Sequence, residues 1–294
     1  MPESMGKRFK RLVKEQAPLQ VLGTVNAYSA MLAEVAGGQA IYLSGAGVAN
    51  ASYGIPDLGM TGLADVLEDV QRVTQACSLP LLVDVDTGWG HTFNIARTVK
   101  LMERAGVAAI HIEDQLLAKR CGHRPNKAIV SAQEMGDRIK SAVDARIDPD
   151  FVIMARTDAY SVEGMQAALD RAELCVELGA DMIFPEALTT LDEYRCFTSH
   201  LNVPVLANIT EFGRTPLFTR DELKKVGVGL ILYPLSAFRS MSLAALNVFR
   251  TIVEQGTQKP MIENMQTRDE LYEVLKYRDF ENTLDKFMED RDGQ

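Results

Sequence analysis

The segment Leu79-Pro80-Leu81-Leu82-Val83-Asp84-Val85-Asp86-Thr87-Gly88 (LPLLVDVDTG, residues 79–88) decides the fold. A short run of Leu and Val ends abruptly in two aspartates and a glycine. Continuous apolar runs of this length mark strands buried on both faces, which belong to parallel sheets. The pattern recurs as LQVLGTVNA (19–27), AIYLSGAG (40–47), VAAIHIEDQ (107–115), FVIMARTDA (151–159), ADMIFPEA (180–187), VPVLANITE (203–211) and VGLILYPLS (228–236). That makes eight strands.

Helical patterns fill most of the gaps between them. Asn94 can cap a helix through IARTVKLMERAG, with Ile95, Val99 and Met102 on one face and Gly106 as its stop. Ser131-x-x-Glu134 and Thr219-x-x-Glu222 have capping-box spacing. Gly-Val or Gly-Ala before the fourth, sixth and eighth runs reads as a helix-to-strand turn. Eight strands alternating with helices predict an α/β fold of the TIM, or (β/α)8, type. A doubly wound sheet is the competitor. SGAGVANASYG (44–54) is glycine-rich but lacks the phosphate-turn spacing that would support it.

With 294 residues the chain suits one barrel domain over 1–294. A charged helical tail runs from about 255 to 294, where Leu271, Val274, Leu275, Leu284 and Phe287 form an apolar stripe for the body or a neighbouring subunit. The basic N-terminus MPESMGKRFKRLVKE reads as a short amphipathic helix packed on the body, with neither a signal peptide nor a membrane span behind it. A net charge of −9 argues against nucleic acid but permits an anionic small substrate, because a few local cations can reverse the field in a pocket. Four scattered cysteines match no disulfide or zinc framework and imply a reduced, cytoplasmic setting.

Barrel enzymes carry their chemistry at the C-terminal strand ends. Those ends hold Ser44, Asp84 and Asp86, Glu113 and Asp114, Arg156 and Asp158, Glu186, and Asn208. Asp84 and Asp86, two apart on a strand, point to one side, and Glu113 on the next strand extends an oxygen-rich cluster. Hard oxygen donors suit Mg²⁺ or Mn²⁺, not zinc. The alternative is that these acids pair with Arg or Lys, or cap helices. Cys121 follows the fourth strand between Lys119, Arg120, His123 and Arg124, where cations favour thiolate and attract carboxylates. Spacing alone leaves equal room for a surface basic loop. Cys77, Cys175 and Cys196 read as packing residues, His91 as a helix-entrance residue, His111 as a core histidine and Trp89 as loop packing.

LVDVDTGWG, HIEDQ and KRCGHRPNK together resemble the isocitrate lyase/phosphoenolpyruvate mutase superfamily, and within it the members that cleave 2-methylisocitrate. The likeness runs through YLSGAGVANASYGIPDLG, FVIMARTDA, FPEA, LANITEFG and ILYPLSAFR to NMQTRDELYE, nearly the whole chain. It implies a barrel whose last helix is swapped within a homotetramer, acting on a tricarboxylate to release pyruvate and succinate. It implies Mg²⁺ at Asp84 and Asp86, with Asp57 and Glu113 nearby, and a pyruvate-end loop of Ser44, Gly45 and Ala46 together with Arg156. Around the succinate carboxylates it places Glu186, Asn208, Ile209, Thr210, Arg239 and Arg268. In the Lys119–His123 loop, with Gly122, it implies Cys121 as the acid, and it makes Tyr42 an assistant at the substrate hydroxyl. Ala46 departs from the Gly common in that loop. Phe184 and Leu232 match positions where isocitrate-cleaving members carry bulkier or polar groups. Isocitrate cleavage, oxaloacetate decarboxylation and a non-catalytic dicarboxylate-binding barrel are the other readings. The cysteine loop that the resemblance identifies argues against decarboxylation, and the intact set of acids, metal ligands and thiol argues against a non-catalytic barrel.

Overall fold

The computed structural model describes residues 3–116 and 127–292. All eight expected strands form: β1 (Leu19–Thr24), β2 (Ala40–Leu43), β3 (Leu81–Asp84), β4 (Ala109–Glu113), β5 (Val152–Thr157), β6 (Met182–Pro185), β7 (Leu206–Asn208) and β8 (Leu230–Tyr233). Every named pairing is parallel, in the order β6-β5-β4-β3-β2-β1-β8-β7. A parallel bridge from Ile183 to Val205 joins the two ends of this row. The sheet is therefore a barrel, with helices after most strands.

Side-chain alternation divides the apolar residues into two layers. Ile41, Leu43, Leu81, Val83, Ile110, Ile112, Ile153, Ile183, Ala207 and Ile231 pack outward, with helix residues such as Val66, Val70, Val99, Met102 and Ile139. Leu19, Val21, Ala40, Leu82, Ala109, Val152, Met182, Leu206 and Leu230 pack inward. Phe9, Leu12 and Val13 of the N-terminal helix Met5–Glu15 join this inner cluster. The spacing 9, 12, 13 lays one helical stripe against the strand starts, and Ser4 caps the helix by accepting from Lys7 N–H. Each of these buried side chains contributes about 1.5–3 kcal/mol of transfer free energy.

Several local expectations need correction. The helix after β3 runs Thr92–Arg104, so His91 sits at the cap position and Asn94 lies inside the first turn. Thr219 and Glu222 form the expected capping box. Ser131 caps its helix, but Glu134 turns away to pair with Arg138 at 2.8 Å. The glycines before β4, β6 and β8 (Gly106, Gly179, Gly227) all have positive φ, the conformation a helix-to-strand turn requires. Cys77 and Cys175 are buried, as packing residues should be, whereas Cys196 is exposed.

The chain divides into two compact units, Met1–Phe238 and Arg239–Gln294. The helix Ser236–Gln255 precedes the expected tail, and helices Arg268–Leu275 and Tyr277–Asp292 lie within it. In the second unit Val274 is buried, but Leu243, Phe249, Val253, Leu284 and Phe287 are exposed. No helix among the described residues is long and apolar enough to cross a membrane.

Candidate active site

Above the inner apolar cluster, the inward face of the barrel changes character. Ser44, Asp84, Glu113, Arg156, Glu186 and Asn208 are buried at or close to the strand ends, and His111 is buried two residues before the end of β4. β2 ends at Leu43, and Ser44 starts a single helical turn, Gly45–Gly47, which runs into a π-helical turn over Val48–Ser52. Such turns concentrate at functional sites. Gly45 N–H donates to Asp84 Oδ2 at 3.2 Å. A Cβ on Gly45 would stand 3.2 Å from carboxylate oxygens of both Asp84 and Asp86, so only glycine leaves this cradle open. Ala46 lies in the helical turn without positive φ, and its methyl imposes no backbone strain.

Asp84 closes β3, but Asp86 is not on the strand. It has φ 51 in a tight turn, its N–H donates to Asp84 Oδ1 at 3.0 Å, and Trp89 Nε1 donates to its Oδ2 at 3.2 Å. Turn geometry, not strand periodicity, brings the two carboxylates together. Trp89 thus holds a site carboxylate, a role the loop-packing reading missed. Among the described residues no three Asp, Glu, His or Cys side chains converge closely enough to grip an ion directly. The donor set is all oxygen, which fits Mg²⁺ held largely through its waters. Asp57 is half-buried on the loop between that π-helical turn and the helix Leu63–Ala76.

One cation answers most of this buried acid. Arg156 Nε lies 3.1 Å from Asp158 Oδ2 and 3.3 Å from Glu113 Oε2, and its Nη2 lies 3.1 Å from Glu186 Oε2. Its guanidinium carbon sits 5.1 Å above the Phe184 ring. Burial alone would lower this group's pKa. The surrounding Asp158, Glu186, Glu113 and Asp84 outweigh that effect and hold it well above its ordinary value. The pairing of acids with Arg, one of the two readings of the sequence, is therefore present at Glu113. Glu186 also accepts from Ala187 N–H at 2.8 Å, and Asn208 Nδ2 lies 3.4 Å from both of its oxygens. Thr210, two residues beyond Asn208, is also buried. Ile209 belongs to the outer apolar layer; its N–H donates to the Leu232 carbonyl at 2.8 Å, so its side chain is turned away from the mouth.

One layer lower, Tyr42 Oη lies 3.0 Å from His111 Nε2, which is 3.8 Å from Asp84 Oδ1. The two rings stack at 5.8 Å, and Phe184 meets the imidazole edge-on at 5.3 Å. His111 is fully buried, as a core histidine should be, yet it links a site carboxylate to a site phenol. Burial, reinforced by the charge of Asp84, pushes the Tyr42 phenol well above its ordinary range. The shift favours the protonated phenol, whose O–H can donate a hydrogen bond.

Lys119, Cys121, Gly122 and His123 lie outside the described residues. Both flanks of that segment are fixed. Gln115 bridges antiparallel to Ile129, and Arg138 donates from Nη1 to the Glu113 and Gln115 carbonyls at 2.9 and 2.8 Å. Arg171 Nη1 donates to the Val130 carbonyl at 2.8 Å and lies 3.7 Å from Asp114 Oδ2. Lys127, Arg138 and Arg171 are buried cations that sequence reasoning passed over, since each reads locally as an ordinary surface residue. Arg239 and Arg268 belong to the second unit, Arg239 within the helix Ser236–Gln255 and Arg268 opening the helix Arg268–Leu275.

Comparison with known proteins agrees with this geometry. Residues 9–253 match the family model described as phosphoenolpyruvate phosphomutase. The chain is 61% identical to a 2-methylisocitrate lyase of Vibrio cholerae, over 98% of this chain and 96% of the relative. The chain belongs to the 2-methylisocitrate lyase family. A further member, from Escherichia coli, is 60% identical over 97% of both chains. The crystal structure of 2,3-dimethylmalate lyase, a PEP mutase/isocitrate lyase superfamily member, superposes with a TM-score of 0.88 at 31% identity, covering 95% of this chain and 94% of that one. The family's fold is thus the fold described above, and the acid-rich mouth lies where a barrel lyase works.

Proposed function

We propose that this protein cleaves 2-methylisocitrate to pyruvate and succinate, a step of propionate breakdown. The observation that carries the reading is the mouth itself: Asp84 and Asp86 against the open Gly45 cradle, with Arg156 set among Glu113, Asp158 and Glu186. Identity near 60% to curated 2-methylisocitrate lyases over almost the full length supports it.

Asp84 and Asp86, with Glu113 and Asp57 farther out, would hold Mg²⁺ (or Mn²⁺) through water; bound there, the ion would acidify the substrate hydroxyl and stabilise the forming oxo acid. Ser44, the Gly45 and Ala46 backbone and Arg156 would orient the pyruvate end. Tyr42, held protonated, would donate a hydrogen bond toward the hydroxyl oxygen, and His111 would fix its direction. Cleavage leaves the other fragment as a carboxylate enolate carrying two negative charges, which needs fixed donors before it is protonated. Asn208 and Thr210 stand at that side, and the sequence resemblance supplies Arg239 and Arg268 as cations. Cys121 would deliver the proton to the succinyl carbon, with Lys119 and His123 as neighbouring charges and Gly122 as a backbone contact. Phe184 and Leu232, both buried in the inner cluster, give the pocket an apolar wall for the substrate methyl. The exposed apolar residues of the helices in the second unit support a homotetramer with an exchanged helix.

The test is a paired assay of glyoxylate from isocitrate and pyruvate from 2-methylisocitrate. Pyruvate release exceeding glyoxylate release is expected. One methyl group is worth about 1–3 kcal/mol in an apolar pocket, so weak glyoxylate release is compatible with the reading. Dominant glyoxylate would reassign the substrate to isocitrate.

A further inference from the structure

Beyond residue 126 the chain returns along the end of β4. Leu116 N–H donates to the Ala128 carbonyl at 3.0 Å, and Val130 N–H donates to the Asp114 carbonyl at 2.8 Å. Lys127 opens this return with its side chain only 2% exposed, against an Asp158 side chain that is wholly buried. A lysine this deep is rare without a partner. Its Nζ lies 2.5 Å from Asp158 Oδ1.

The other oxygen of Asp158 takes Arg156 Nε at 3.1 Å, while the same guanidinium reaches Glu113 and Glu186. Asp158 therefore competes with two site carboxylates for one cation. Asp114 stands beside it, accepting from Asp158 N–H at 2.8 Å. Burial, reinforced by the charge of Asp158, raises the Asp114 pKa, so the two aspartates repel. With an ammonium on Oδ1, part of Asp158's charge is already answered. Without it, the carboxylate would draw the guanidinium down toward itself and away from the mouth.

We infer that Lys127 is a positioning residue: acting through Asp158, it sets where the Arg156 guanidinium stands and so how tightly the site holds the carboxylate of the pyruvate end. The inference rests on the proposed role of Arg156 in the lyase reading. Neither composition nor spacing points to it, because Lys127 reads as the last residue of a basic loop.

The experiment measures calorimetric binding of oxalate, a dianion that copies the two oxygenated carbons of the pyruvate end, with Mg²⁺ present. Lys127→Met is expected to weaken oxalate binding about tenfold, a difference of about 1.4 kcal/mol. It should raise KM for 2-methylisocitrate more than it lowers kcat. The double variant Lys127→Met/Asp158→Asn is expected to regain most of the affinity, because the competing charge has gone. A purely structural lysine would leave the double variant no better than the single one, and that result overturns the inference. Wild-type affinity in Lys127→Met overturns it too. Where Lys127→Met does not fold, Lys127→Gln keeps a donor on Asp158 without the charge. It is expected to show the same loss, and full affinity in it is equally contrary. Wild-type turnover of 2-methylisocitrate tests the lyase reading separately from these affinity ratios.

Discussion

Leu82 and Asp84 are neighbours on the inward face of β3, and they live in different chemistry. Leu82 packs with Val21, Ala40, Ala109 and the plugging residues Phe9, Leu12 and Val13. Asp84, one step higher, receives N–H bonds from Gly45 and Asp86 and stands 3.8 Å from His111. The same contrast repeats on β5 between Val152 and Arg156, and between Met182 on β6 and Glu186 just past its end. The lower half follows transfer free energy and tolerates any well-fitting apolar set. The upper half buries at least five carboxylates around very few cations, an arrangement that costs stability and that the proposed lyase reading puts to use in binding. Stability and function are thus stacked along the barrel axis.

The comparison breaks most sharply at Cys121. Replacing it with Ser should lower kcat by about 10³-fold, within the range for loss of a positioned acid, while oxalate still binds. Turnover near the wild-type rate would remove Cys121 from the proton step. Substitutions in the two halves should next separate into different signatures. Arg156→Met leaves Glu113, Asp158 and Glu186 without their shared cation and is expected to cost about 3–5 kcal/mol in urea unfolding as well as most activity. Leu82→Ala should cost about 2–5 kcal/mol through its cavity, yet leave kcat/KM of the folded protein unchanged. Equal loss of activity in both would erase the distinction between the halves.

A pH series probes the outer layer. Burial pushes the Cys175 thiol up to about 12 from an ordinary value of 9.0. Because the folded value is the raised one, its stabilising contribution is complete below pH 9 and is lost as pH rises toward 12. The loss should approach about 4 kcal/mol by denaturant titration and disappear in Cys175→Ala. The smallest expected change is at Tyr42. Tyr42→Phe removes one donor, worth about 1–2 kcal/mol, and should lower kcat without abolishing the alkaline limb of the pH–rate profile. Burial and the Asp84 charge push the phenol's pKa up, so that limb is expected to persist in Tyr42→Phe.

Much of the barrel was legible in the sequence because a strand buried on both faces leaves an uninterrupted apolar run, and glycines at positive φ mark the turns that feed three of the strands. Asp84, Glu113, Arg156, Glu186 and Asn208 were legible as candidates for one mouth because polar groups end such runs, and all five are buried at or near the strand ends. Strand periodicity did not explain Asp86, whose orientation comes from a left-handed turn held by Trp89. Nor did local pattern reveal Lys127, Arg138 and Arg171. Their partners lie between 23 and 41 residues away for the backbone carbonyls and the Asp158 carboxylate they reach, and only the fold makes those neighbours. His111 was read as core and is core, but a one-dimensional pattern cannot show that its partner is Tyr42, 69 residues earlier.

The most direct test of the central claim is to measure pyruvate and succinate together from 2-methylisocitrate, with Mg²⁺ and with EDTA. Equal amounts of the two products in Mg²⁺, and neither in EDTA, are predicted. Pyruvate without succinate, or no product under either condition, would contradict the assignment of this mouth to carbon–carbon cleavage.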